Sequence, residues 1–189
     1  MNHPRRRGAL RIVAGSARGR RIDTLGTPTT RPTSDRVREA MFNALESMGA
    51  LDDVVVLDAF AGSGALGIEA LSRGARHATF ADTDAGAAAV VRDNLATVGF
   101  ADRATVVVRS GERAAEVGGP YGLVLLDPPY AFDGWAALLA SVTEQLDVDG
   151  VVVCESDREL VLPASLRGVR SRTYGGTVVQ FATAAGAPS

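Results

Sequence analysis

The residues best suited to chemistry stand together at Asp127-Pro128-Pro129-Tyr130, directly after a short apolar run. Two consecutive prolines cannot extend a hydrogen-bonded ladder, so the strand must stop and the loop that follows is stiff. Such a loop holds two acceptors in fixed positions, the Asp127 carboxylate and the Pro128 carbonyl. Together they can accept both hydrogens of an –NH₂ group and turn its lone pair out of conjugation, towards an electrophile. Pro129 keeps the loop rigid, and Tyr130 offers a flat face on which a base can stack. The plainer alternative is a Pro-Pro turn with an acidic cap.

A second group lies upstream. Gly62-Ser63-Gly64-Ala65-Leu66-Gly67 reads G-x-G-x-x-G, and Asp82 lies twenty residues beyond Gly62. Glycines at these positions permit a tight turn and close approach of a ligand to the backbone, and the acid can accept from ribose hydroxyls. An adenosine cofactor needs this arrangement whether it is NAD or S-adenosylmethionine. Asp58-Ala59-Phe60-Ala61-Gly62 helps to decide between them. An acid at the strand end repels a pyrophosphate but suits the cationic amino group and sulfonium of S-adenosylmethionine. Asp58 could instead cap a turn, and Thr83 or Asp84 could cap the following helix.

These residues need elements to hold them. Apolar runs at 54–58, 77–82, 104–109, 123–127 and 151–155 alternate with helical patterns at 65–73, 84–98 and 134–146. Continuous apolar strands separated by helices predict a parallel sheet covered on both faces. Two further runs, 169–174 and 177–183, meet at Gly175-Gly176 and predict an antiparallel hairpin. Ligands in such sheets bind beyond the carboxyl ends of the strands. Acids end three runs (Asp58, Asp82 and Asp127), which points to one cleft lined from successive strands. Upstream, residues 10–14 and 20–23 read as strands around a turn at 15–19. Residues 24–34, rich in Thr and Pro, have little reason to form regular structure. Residues 35–48 then carry Val37, Met41, Ala44, Leu45 and Met48 at helical spacing. The expected architecture is therefore an α/β, Rossmann-like fold. Its seven-stranded sheet is mostly parallel, with the last strand antiparallel, and it carries an N-terminal β-hairpin extension. The expected division is a basic arm and linker at 1–34 and a catalytic domain at 35–189.

Charge separates the same two parts. Residues 1–38 hold ten arginines and two acids, a balance of +8, whereas the remainder stands at −10; lysine is absent. A basic arm on an acidic body predicts contact with a polyanion through Arg5, Arg6, Arg7, Arg11, Arg18, Arg20 and Arg21. Arg11 interrupts the apolar stretch after the opening arginines, so no secretory core forms and the expected location is cytoplasmic, with no membrane partner. Cys154, alone in its type, lies in an apolar strand and reads as core. His3 and His77 stand far apart in sequence, so no metal site is expected. Trp135 reads as packing.

Asp-Pro-Pro-Tyr after the fourth strand, with Asp-Ala-Phe-Ala-Gly-Ser-Gly after the first, resembles the amino-methyltransferases of nucleic acids. The match tightens at Arg31-Pro32-Thr33-Ser34-Asp35-Arg36-Val37-Arg38-Glu39 and at Arg11-Ile12-Val13-Ala14-Gly15 with Arg18-Gly19-Arg20. These resemble the RsmD family, bacterial 16S ribosomal RNA guanine-N2 methyltransferases. Glu69-Ala70-Leu71-Ser72-Arg73 and Asn94-Leu95-Ala96 fit the same family. The resemblance implies a class I methyltransferase fold, S-adenosyl-L-methionine as cofactor, and methyl transfer to guanine N2 of 16S ribosomal RNA, free or within a 30S subunit or its assembly intermediate. It implies that Arg31, Thr33, Asp35 and Arg36 help to close the methionine end of the cofactor site. Asp58, Phe60, Ala61, Gly62 and Gly64 would line its centre, and Asp82 with Thr83 would hold the ribose. Ser110 and Gly111 stand where the family often places an acid or amide for the adenine. Three other readings remain open: an adenine-N6 methyltransferase using the same acceptor pair, an NAD-dependent oxidoreductase, and a non-catalytic RNA-binding module.

Overall fold

The computed structural model describes residues 9–25 and 35–186. The expectations for Arg5, Arg6, Arg7, Arg31 and Thr33, and for most of the Thr- and Pro-rich stretch, lie outside the described residues. A short antiparallel hairpin, β1 (Ala9–Arg11) and β2 (Arg21–Asp23), comes first, followed by α1 (Asp35–Ser47). Then come β3 (Val55–Asp58), α2 (Ala65–Ser72), β4 (His77–Asp82), α3 (Ala85–Val98), β5 (Ala104–Val108) and the short α4 (Gly111–Ala114). The chain continues through β6 (Tyr121–Leu126), α5 (Trp135–Glu144), β7 (Leu146–Ser156), β8 (Leu166–Tyr174) and β9 (Thr177–Ala184).

The larger sheet runs β5-β4-β3-β6-β7-β9-β8. Strands β3 to β7 pair in parallel, and β9 runs antiparallel to both β7 and β8. The expected Rossmann-like, mostly parallel seven-stranded sheet with its N-terminal hairpin is present. The chain enters at the centre on β3, steps outward to β4 and β5, then crosses over to β6. A switch point therefore opens between β3 and β6, where ligands of such sheets are bound.

The elements form for local reasons. Val37, Met41, Phe42, Ala44 and Leu45 make one buried face of α1, as their spacing requires. At the start of α3 the Asp84 carboxylate accepts from the Gly86 amide, and Gly99 ends the helix in a left-handed conformation. The core has two layers. α1, α2, α3 and the hairpin share one with inward residues such as Val56, Leu123, Val153 and Phe181. Helix α5 shares the other with Leu57, Val124, Val152 and Cys154.

Several boundaries differ from the sequence reading; the first strand, read at 10–14, is Ala9–Arg11, because the chain turns away towards α2 from Val13 onward. The last predicted helix ends at Glu144, not at residue 146, and β7 begins at Leu146. An irregular register between Tyr121 and Leu123 lets Tyr121 pair with Leu146, which lengthens both β6 and β7 at their polar starts. β8 begins at Leu166, ahead of the run at 169–174. Helix α4 is an addition to the expected elements, since four residues cannot display a helical period.

The hairpin is docked rather than projecting. Ile12, Ala17 and Ile22 are buried in the core. Glu69, fully buried on α2, accepts from the amides of Val13 (2.8 Å) and Ala14 (3.0 Å), and Ser72 Oγ accepts from the Ala17 amide at 2.9 Å. The Arg20 guanidinium donates to the carbonyls of Thr97 and Val98, where α3 leaves its last carbonyls without helical partners.

Candidate active site at the carboxyl ends of the parallel strands

Asp82, Asp58 and Asp127 stand at the ends of neighbouring strands β4, β3 and β6, or directly after them. The sequence-predicted convergence on one edge of the sheet is therefore observed. Backbone amides of the loop after β3 are tied to both sides: Ala59 donates to the Leu125 carbonyl at 3.1 Å and Ala61 to the Ala81 carbonyl at 2.9 Å. The glycine loop is thus fixed before any ligand arrives. Gly62 has φ +53, and a Cβ there would meet nothing within 4 Å, so the turn opens onto free space that a ligand can fill. The third glycine serves packing instead: a Cβ on Gly67 would come within 2.3 Å of the Phe80 ring. Gly64 closes the loop, its amide donating to the Ala61 carbonyl.

Asp58 is buried, and its Oδ2 accepts from the Gly67 amide in the first turn of α2 at 2.9 Å. Desolvation pushes its carboxyl up to about 7; the Gly67 bond pulls the other way, and the Asp82 charge adds to the rise. The turn-capping role raised as the alternative for Asp58 is real, but one helix amide does not satisfy a buried carboxylate. Asp82, partly exposed, accepts from the Gly62 amide through Oδ2 at 2.9 Å and from the Asp84 amide through Oδ1 at 2.9 Å. Helix capping falls to Asp84, and Thr83 lies exposed beside it.

The loop after β6 follows the strand next to β3. Pro128 is buried, Pro129 and Tyr130 are exposed, and the Phe132 amide donates back to the Pro129 carbonyl at 2.8 Å. Asp127 is partly buried. Tyr130 is 49% exposed, and its hydroxyl lies 3.3 Å from Thr177 Oγ1 on β9. That hydroxyl therefore has a contact the sequence did not foresee. The two loops touch through aromatic edges. Phe60 meets Phe132 at 5.4 Å between centroids, and Phe132 meets Trp135 at 5.5 Å, both T-shaped. Trp135 is buried, as packing requires. Ser110 stands at the N-cap position of α4; Gly111, its first residue, is buried, and a Cβ there would come within 2.9 Å of the Phe60 ring. Asp35 is turned to Arg38, whose Nη2 donates to it at 2.9 Å, while Arg36 is exposed. Among the described residues, no group of three or more His, Cys, Asp or Glu is placed to hold a metal ion. Nor is any described helix long and apolar enough to cross a membrane.

Residues 10–183 match the sequence family described as conserved hypothetical protein 95, the RsmD family. The chain belongs to the RsmD family. Bacillus subtilis YlbH is 39% identical over 179 residues, covering 90% of this chain and 96% of that protein. The ribosomal RNA small subunit methyltransferase D of Haemophilus influenzae is 32% identical over 180 residues, covering 91% and 92%. The solved Escherichia coli structure of yhhF superposes with a TM-score of 0.82 at 34% identity, over 94% of this chain and 98% of that one. The fold is that of the class I methyltransferases.

This RsmD-family chain also uses residues that sequence reasoning left without a role. Asn94, buried on α3, accepts from the Asp23 amide and donates both to the Asp23 carbonyl (2.9 Å) and to the Ser63 carbonyl (2.8 Å). One side chain thus joins the end of the hairpin to the glycine loop. Arg38 is 1% exposed and donates to the Arg11 carbonyl at 2.6 Å, with Glu69 at 3.9 Å. Arg73 binds Glu69 at 2.8 Å. The only signal available was a polar residue inside an apolar helical pattern, as at Glu69 and Asn94.

Proposed function

We propose that this chain transfers a methyl group from S-adenosylmethionine to the exocyclic N2 of a guanine in 16S ribosomal RNA, in the cytoplasm, on a 30S subunit or an assembly intermediate. The observation that carries this reading is the juxtaposition of two rigid loops on adjacent strands. One is the open glycine turn with its buried acid, and the other is the stiff Asp-Pro-Pro-Tyr segment. The names of the family relatives support ribosomal RNA as the substrate. The guanine assignment rests on the family resemblance of residues 31–39 and 11–20.

The residues present fit the cofactor. The space over Gly62 admits a ligand against the backbone, and a carboxyl held at about 7 by burial gains from a cationic partner. The same acid would repel the pyrophosphate of NAD. When bound, S-adenosylmethionine supplies an already electrophilic methyl group. Asp58 would face its cationic end, the 62–64 turn its middle and Asp82 its ribose, with Ser110 and Gly111 towards the adenine. Asp127 Oδ and the Pro128 carbonyl accept the two amine hydrogens and aim the lone pair, and Tyr130 holds the base by stacking. Catalysis by these residues is orientation and exclusion of water. Arg11, Arg18 and Arg21 of the hairpin, with Arg5, Arg6 and Arg7, would meet RNA phosphates; Arg20 would add its charge while it caps α3.

The test is methyl transfer from isotope-labelled S-adenosylmethionine to 16S ribosomal RNA and to 30S subunits, followed by nucleoside analysis. N2-methylguanosine is expected. N6-methyladenosine would replace the reading by the adenine-N6 one, and labelled nucleosides of neither kind would refute it.

A further inference from the structure

β8 is the edge of the large sheet, and its nine residues contain Arg167, Arg170 and Arg172 and no acid. All three are exposed, and among the described residues none forms an ion pair. Their spacing alone would scatter them. Residues alternate between faces along a strand, so Arg167 should point opposite to Arg170 and Arg172. The register corrects this. Arg167 pairs with Thr183, Gly168 with Ala182, and then Arg170 with Phe181 and Arg172 with Val179, so that Val169 is passed over as a bulge. Directly paired residues share a face, and Thr183, Phe181 and Val179 alternate on a single face of β9. The bulge therefore brings all three arginines onto one face, the same face that α1 and the hairpin cover further in. The stripe covers four steps of β9, roughly 13 Å at 3.3 Å per residue.

The stripe also leads to the active loop. Arg172 lies two residues before Tyr174, which pairs with Thr177, and Thr177 Oγ1 is the atom 3.3 Å from the Tyr130 hydroxyl. Charges on an edge strand often serve only to block edge-to-edge pairing, and either sign does that. Here the part of the chain from residue 39 onward has twice as many acids as arginines, yet the edge carries arginine alone.

We infer that Arg167, Arg170 and Arg172, aligned by the β8 bulge, form a second phosphate-binding stripe that holds the RNA strand flanking the nucleotide stacked on Tyr130. The inference rests on the proposed RNA substrate. It gives the RNA two separate electrostatic contacts, the hairpin and this edge, with the reactive loop beside the second.

The experiment compares the wild-type chain, R167Q/R170Q/R172Q and R167K/R170K/R172K in binding a 16S ribosomal RNA transcript across a salt series. S-adenosylmethionine affinity and size-exclusion profiles are recorded for each. Loss of three phosphate contacts should lower the salt slope of the glutamine variant by roughly 2 to 3, since each contact contributes about 0.7–0.9. Its KM for RNA should rise while its cofactor affinity holds, and the lysine variant should keep the wild-type slope. Strong salt-dependent binding by wild type with an unchanged slope in the glutamine variant overturns the stripe and leaves the proposed function standing. Self-association of the glutamine variant with an unchanged slope does the same and assigns the arginines to edge protection. Absence of salt-dependent RNA binding by the wild type overturns both.

Discussion

Replacing Asp58 by asparagine should strengthen the fold and weaken the site at once. In the folded chain this carboxyl titrates at about 7 against an ordinary value of 3.8. Between those values the folded state keeps a proton that the unfolded state has released, so rising pH costs stability across this window. Above about pH 7 the cost is complete, and the difference corresponds to about 4 kcal/mol at 1.36 kcal/mol per pH unit. The asparagine side chain carries no charge and keeps an oxygen for the Gly67 amide, but its own –NH₂ lacks an evident acceptor, a loss of about 1–3 kcal/mol. Asp58→Asn should therefore be more stable than wild type by about 1–3 kcal/mol at pH 8, with the gain absent or reversed near pH 4. Urea denaturation at the two pH values measures this. Cofactor affinity should move oppositely. Wild-type binding of S-adenosylmethionine should tighten as pH rises towards about 7, where the ionised carboxylate becomes available, and then level off below the titration of the cofactor's own amino group near 7.7–8.0. The variant should bind weakly, with a flat profile, in calorimetric titrations. Equal pH profiles for the two proteins would refute the assignment of Asp58 to the cationic end of the cofactor. A variant no more stable than wild type at pH 8 would refute the burial argument.

Asp127→Ala leaves one acceptor for the target amine, so single-turnover methyl transfer should fall by orders of magnitude at unchanged cofactor affinity; near-normal rates would make this loop structural. Tyr130→Ala should weaken RNA capture by roughly 1–3 kcal/mol, as expected for one lost stacking platform. Tyr130→Phe keeps the ring and forfeits only the Thr177 contact, so its RNA KM should stay within a few-fold of wild type. Asn94→Ala removes the bonds to Asp23 and Ser63. It should cost about 1–3 kcal/mol in urea and also loosen cofactor binding, because it frees the glycine loop. Arg18→Gln with Arg21→Gln should lower the RNA salt slope by about 1–2 while leaving the fold intact, since both side chains are exposed. An unchanged slope would remove the hairpin from the RNA interface.

The strands that end in Asp58 and Asp82 were legible because a buried parallel strand is a continuous apolar run, and the acid marks where burial stops. Helix α1 was legible because one face alone is apolar. The bonds that lock the hairpin to α2 and α3 were not, because they join residues 55 to 78 positions apart and depend on how those helices stack. Glu69, a polar residue among apolar neighbours, signals a buried role but not which groups it receives, two amides and a guanidinium. The hydroxyl of Tyr130 found its partner on a strand that enters from the far end of the chain. The row of arginines on β8 was hidden by the bulge, since strict alternation places Arg167 on the wrong face.

The docking of the hairpin sets an order of events during synthesis. Residues 9–25 are made before Glu69, Ser72, Asn94, Thr97 and Val98, which supply most of the groups that hold them. Until α3 has emerged, this segment, with four arginines and one acid, has no acidic body folded behind it. Contacts of such long sequence separation also form late and slowly. Closure of the hairpin onto α2 and α3 thus turns a basic segment, without its folded support while the chain is still growing, into a surface of fixed shape.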